Sequence, residues 1–263
     1  MRAFAFASAL SLALAAGPGD AAPRRVASLN LCTDELLLAL AEPRQIASVT
    51  YLSHLEAESR LWRQARQFRK NDGSLVSVAG LKPDLVLTMG GGARDRLRIA
   101  AKLGIPTLDL PFPETVADVE ESIVRIAQAL GRRAAAAPLL ARIAALKRSP
   151  PRRGADTIWL GGGGRTLGAS TLGAQWMALA GLRQRPVRGD KVSLEQLLVR
   201  PPAIILRSDY RSGQYSGEQR WLSHPLASAN PGSRTIVTDG RLWTCKGPLL
   251  VGEIERLRQE VAQ

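Results

Sequence analysis

Histidine and cysteine are scarce in this chain, and their scarcity removes several chemistries. His54, His224, Cys32 and Cys245 are the only such residues among 263. Protein metal centres need clustered ligands, and these four are scattered along the sequence. A site built from all four stays open in principle, but a bound bare metal is not expected. No GxSxG elbow is present, and neither Ser28 nor Ser170 has a flanking nucleophile signature. Cys32 with His54 could form a thiol–imidazole pair. The glycine runs Gly90–Gly92 and Gly161–Gly164 lack the Lys-Ser or Lys-Thr of a phosphate loop. They also lack a clean GxGxxG with a following acid, so nucleotide binding is not expected. Long Lys/Arg blocks are missing too, although basic residues outnumber acidic ones 36 to 23. The resulting charge of +13 would favour an anionic ligand or surface. With no arginine-rich strand and no recognised module, nucleic acid is not an expected partner.

One long apolar run is present, at the start. Arg2 precedes an apolar stretch from Ala3 to Ala16, and Gly17 to Ala22 supplies small residues for cleavage after Ala21 or Ala22. The run is short for a membrane span, and no cysteine follows it for lipid attachment. Residues 1–22 therefore read as a signal peptide, and the mature protein as a soluble periplasmic one. In an oxidising compartment, Cys32 and Cys245 are expected to pair as a disulfide. Reduced thiols and ligand contact are the alternatives.

The rest alternates strand-like and helical stretches. Short apolar strands are expected near residues 25–29, 45–49, 85–88 and 105–110, then near 156–160, 203–206 and 235–237. Val116, Val119, Ile123, Ile126 and Leu130 recur at helical spacing. Beyond Gly131 the pattern resumes to Leu146, which predicts a long helical connector over residues 114–147. An internal echo supports two related halves. LVSVAGLKPDLVL at Leu75–Leu87 and LEQLLVRPPAIIL at Leu194–Leu206 each give a short helix, a proline turn and a buried-type strand. The expected class is α/β: two Rossmann-like lobes, residues 23–113 and 148–263, joined by one long spine helix, with a ligand cleft between them. Tyr51, His54, Trp62, Arg165, Tyr210, Tyr215, Trp243 and Lys246 are the aromatic and cationic candidates for that cleft.

The order of elements resembles the periplasmic substrate-binding proteins of ABC importers, in the group with a helical backbone. The resemblance rests on Arg25–Glu35, Leu81–Leu87, Gly104-Ile105-Pro106, the run Glu114–Leu130 and the helix opening at Leu194-Glu195-Gln196-Leu197. It implies capture of a metal chelate, a ferric siderophore or cobalamin with haem also in range, and delivery to a permease in the inner membrane. It implies a monomer with no catalytic residues and no resident cofactor. The ligand loops carried onto this chain are Asn30, Leu31, Cys32 and Thr33, then Tyr51 and His54, Met89–Gly92, Arg165, Ser208 to Tyr215 with Tyr210 in it, and Trp243 to Lys246. Permease docking falls on Glu195, whereas the matching position in the first lobe falls near Val76, which is not acidic. A Cys32–Cys245 disulfide would then staple the lobes at the cleft. A secreted thiol-dependent enzyme on the same scaffold, or a sensory or scaffold protein with an empty cleft, are the other functions considered.

Overall fold

The computed structural model describes residues 22–90, 94–151, 153–211 and 213–263. The expected signal peptide, apart from Ala22, and Gly91 and Gly92 of the glycine loop lie outside them. Two parallel sheets organise the α/β fold. The first has the order β3-β2-β1-β4-β5 and the second β7-β6-β8-β9. In chain order the first sheet comprises β1 (Val26–Ser28), β2 (Ile46–Thr50), β3 (Arg69–Asn71), β4 (Leu85–Met89) and β5 (Thr107–Leu110). The second comprises β6 (Ala155–Leu160), β7 (Leu182–Gln184), β8 (Ile204–Ser208) and β9 (Arg234–Thr238).

Helices α1 (Leu31–Leu40), α2 (Trp62–Ala65), α3 (Leu75–Ala79) and α4 (Arg94–Lys102) connect the first set of strands. Helices α5 (Val116–Ala129) and α6 (Arg133–Arg148) link the two sheets. Helices α7 (Leu172–Leu179), α8 (Leu194–Val199), α9 (Gly217–Leu222) and α10 (Pro225–Ser228) belong with the second sheet, followed by α11 (Leu242–Cys245) and α12 (Leu250–Val261). The sequence echo falls on α3–β4 and α8–β8, and both strands lie beside the first strand of their sheet. The series β2-β1-β4-β5 repeats as β7-β6-β8-β9.

The connector differs from the single helix expected. Gly131, at φ +67°, ends the first helix in a left-handed turn that glycine adopts without a Cβ penalty. Lys147 near the end of α6 then reaches Glu120 near the start of α5 at 2.7 Å, so the two helices run antiparallel. Thr115 caps α5 through a capping box with Asp118. Its apolar stripe, Val116, Val119, Ile123 and Ile126, is buried. That stripe packs on α1 from one side and α7 from the other. One apolar core consequently runs from Val26 and Leu37 through Ile123 to Trp176, Leu206 and Leu257. Gln175 of α7 also ties the halves, accepting from the Val116 backbone N–H at 3.2 Å.

Candidate ligand cleft

The carboxyl ends of both sheets turn toward each other, where α/β folds usually contact ligands. After β1, the Asn30 side chain accepts from the Cys32 N–H at 2.8 Å and caps α1. This cap aims Cys32 outward, and its sulfur is bonded to Cys245 at the end of α11, with the Cα atoms 5.3 Å apart. Two helix ends 213 residues apart in sequence are thus covalently joined between the halves.

The floor beneath the disulfide is tightly filled. Leu36, Met89, Pro113, Val119, Gly247 and Pro248 leave a void of only about 10 Å³ there. Glu35 is buried in the same region, and its Oε2 has no hydrogen-bond partner. Burial, and secondarily the charge of Asp34, raises its pKa to about 8. Burial also raises Asp34, to about 6, against opposing hydrogen bonds from Ser28, Ser53 and Thr50.

On one side of the disulfide lies a cavity of about 560 Å³. Phe112 and Thr115 line it from the first half, Ser170, Thr171 and Gln175 from α7 and its approach, and Lys246 from the loop after α11. Gly90, at φ +106°, permits the close approach of the Phe112 ring, which a Cβ would meet at 2.4 Å. Lys246 sits at φ +50°, and its carbonyl accepts from the buried Trp176 Nε1 at 2.9 Å. Its stem passes over Gly173, which has no side chain to obstruct it. Burial lowers the pKa of the half-buried amine. No carboxylate pairs with Lys246 among the described residues. An anion entering this cavity would supply the missing countercharge.

The second contact between the halves is polar. The loop after β2 presents Glu58, which accepts from the Tyr210 hydroxyl and from Arg211 Nη2, both at 2.5 Å. Arg60 pairs with Asp239 at 2.9 Å, and Arg241 bridges Asp239 and the Glu56 carbonyl. Burial pushes the Asp239 carboxyl up, but Arg241 and Arg60 outweigh it and hold the pKa below the usual range. A cavity of about 430 Å³ opens beside this clasp.

The sequence-derived candidates divide accordingly. Cys32 and Lys246 converge on the larger cavity. Asn30 serves as the cap behind it. Leu31 and Thr33 are corrections: Leu31 is buried, and the Thr33 hydroxyl is spent on Ser28 and the Asn30 carbonyl. Trp243 is another, being 3% exposed rather than facing a ligand. Its Nε1 donates to Thr238 at 2.8 Å and its ring lies 5.9 Å from Trp159, so it belongs to the core. Tyr210 is committed to Glu58. Tyr51, His54, Arg165 and Tyr215 line neither cavity. Burial lowers the pKa of His54, with Lys70 and Arg66 adding to the effect. Arg165 is exposed and reaches Asp190 and Glu218 only at 3.9 and 4.0 Å. Phe112 escaped the sequence reading, although a phenylalanine between two prolines just after an expected strand end was a usable signal. Glu195 is exposed in the first turn of α8. Among the described residues, no group of three or more His, Cys, Asp or Glu is placed to hold a metal ion.

Two parallel sheets thus meet at their strand ends around an open cavity lined from both halves. The family described as periplasmic binding protein matches residues 26–149. That span is a little under half of the chain. The fold extends through the remainder. The haem-binding protein RhuT from Roseiflexus sp. RS-1 is 20% identical, with a TM-score of 0.67 over 89% of this chain and 96% of that one. BauB, a siderophore-binding protein bound to ferric iron and two acinetobactin molecules, is 15% identical, with a TM-score of 0.70 over 91% and 93%. The vitamin B12 binding protein BtuF of Vibrio cholerae is 18% identical, with a TM-score of 0.62 over 90% and 96%. No curated protein matches the sequence. The chain thus shares its fold with periplasmic haem-, siderophore- and vitamin B12-binding proteins.

Proposed function

We propose that the protein captures an anionic metal chelate between two Rossmann-like lobes and delivers it to an ABC importer in the inner membrane. The lobes are residues 23–113 and 148–263, and the α5–α6 hairpin takes the place of the spine. Of the two chelate types, a compact ferric siderophore is favoured over cobalamin. The observation that carries this reading is Lys246, a half-buried ammonium with no carboxylate partner among the described residues, on a cavity lined from both halves. A charge in that position is costly until an anion arrives. Phe112 adds an exposed aromatic face at the rim. The cavity, at about 560 Å³, falls within the usual range for small-ligand sites.

The test is a tryptophan-fluorescence titration of the oxidised, signal-free protein with ferric siderophores, haem and cobalamin. The expected result is saturable quenching by a compact ferric siderophore. Lys246→Gln should weaken that binding by about tenfold or more, since hydrogen bonds to charged groups contribute about 1.5–3 kcal/mol. Equal affinity for the variant would remove Lys246 from the site. Because the amine pKa is lowered, its charge is lost as pH rises through that value. Affinity should therefore fall toward alkaline pH in the wild type and not in the variant.

Docking to the permease is assigned to Glu195, with the monomer as the working unit. Glu195→Arg should abolish uptake in cells while leaving chelate affinity unchanged. Undiminished uptake would reject this docking position. The first lobe presents Val76 at the matching place, 86% exposed, with the acid Asp72 nearby in sequence.

A further inference from the structure

We infer that the Cys32–Cys245 disulfide is a specificity element, which holds the middle of the cleft shut so that compact chelates bind beside it and wide planar ones are excluded. The inference rests on the chelate reading of the cleft. Its geometry comes from three observations. The start of α1 and the end of α11, which approach from opposite halves, are bonded directly with Cα atoms 5.3 Å apart, so no ligand fits between them. Beneath the bond, the remaining space of about 10 Å³ is at the lower limit for even one water molecule. Glu35 and Gly247 close that floor, with Glu35 Oε2 3.5 Å from where a Gly247 Cβ would stand.

The available room therefore lies to the side, in the cavity of about 560 Å³ that both cysteines border. Phe112 and Lys246 face a ligand held there. Beyond the disulfide, the clasp of Glu58 with Tyr210 and Arg211 fixes the halves at a second place. Two fixed points restrict hinge opening about either one. A macrocycle gripped on both faces needs these helix ends apart, whereas a compact chelate needs only the side cavity.

The experiment measures affinities of a compact ferric siderophore, haem and cobalamin for three proteins: oxidised wild type, wild type reduced with a phosphine, and Cys32→Ser/Cys245→Ser. Circular dichroism establishes that each is folded at the assay temperature. The expected result is that oxidised protein prefers the compact chelate by at least about tenfold. Loss of the disulfide should then improve haem or cobalamin binding about tenfold, with the compact chelate changed by less than about threefold. Unchanged haem and cobalamin affinities would overturn the inference and leave the chelate reading standing. Absence of binding by every form would overturn both. Should the disulfide-free forms unfold, Ser170→Trp decides the matter with the bond intact. This exposed position lines the side cavity, and a tryptophan there should abolish compact-chelate binding without admitting haem. Undiminished compact-chelate binding by that variant would overturn the inference.

Discussion

Two of the places where the halves meet are built from opposite chemistry. At the disulfide, a covalent bond lies over an apolar floor with the buried carboxyl of Glu35 in it. At the clasp, Glu58, Arg60, Asp239 and Arg241 meet through hydrogen bonds and ion pairs. The first contact is indifferent to salt, and the second is screened by it. Their responses to pH also oppose each other. Burial keeps Glu35 protonated in the folded chain, with a pKa near 8. The unfolded chain ionises it near 4.5, so this contribution to stability is intact below that pH. It is lost progressively as pH rises from about 4.5 toward about 8. Asp34 acts in the same sense between 3.8 and about 6. Asp239 is held below its ordinary value, so the clasp is at full strength above 3.8 and fails as pH falls through its depressed pKa. Rising pH thus weakens the first junction from about 4 upward, and acid below that weakens the second, so the two are jointly strongest near pH 4.

The largest effect that would break this comparison is removal of the covalent junction. Cys32→Ser/Cys245→Ser should lower stability by about 2–5 kcal/mol, because the bond closes a very long loop in the unfolded chain. Urea unfolding of oxidised and disulfide-free protein measures it, and a loss under about 1 kcal/mol would show that the floor alone holds the halves. Next comes Glu35→Gln, which removes the ionisable group from the floor. It should raise stability at pH 8 by on the order of 1–3 kcal/mol and flatten the fall in stability between about pH 4.5 and 8. Melting temperatures from pH 5 to 9 read this directly; an unchanged slope would place the pH sensitivity elsewhere. Glu58→Gln should cost about 1 kcal/mol, since it weakens two charge-assisted bonds without removing their geometry. Small-angle scattering of this variant should show no opening while the disulfide is intact. Opening would mean that the clasp, not the staple, sets the distance between the halves. Arg60→Ala should cost less than about 1 kcal/mol, an amount that vanishes at high salt, as expected for an exposed ion pair.

Much of the first and second sheets was legible from apolar runs between turns. β1, β2, β4, β5, β6, β8 and β9 all fall on such runs. β3 was not, because Arg69, Lys70 and Asn71 carry no apolar signal and become a strand only by pairing with β2 at the sheet edge. β7 was missed for a related reason: three residues after Gly181 are too few for periodicity to declare itself. The connector was read as one helix because the apolar repeat continues past Gly131, and repeat alone does not reveal a reversal of direction.

The site was half legible. Compartment and count pointed to Cys32 and Cys245, and loop position pointed to Lys246. Trp243 misled because its loop-like neighbourhood hid a buried partner, Thr238, itself bonded to Glu253. Glu58 and Asp239 could not be matched with Tyr210, Arg211 and Arg60, since pairs about 150 to 180 residues apart leave no local trace.

The most direct measurement of the central claim is the acetylation rate of Lys246, followed by peptide mass spectrometry on oxidised protein with and without a saturating compact ferric siderophore. An unpaired, half-buried amine that receives the ligand's negative charge should be protected at least about tenfold, while exposed lysines such as Lys70 and Lys191 react at unchanged rates. Modification of Lys246 at the same rate in both samples, with binding confirmed by fluorescence, would contradict the placement of the ligand beside the disulfide.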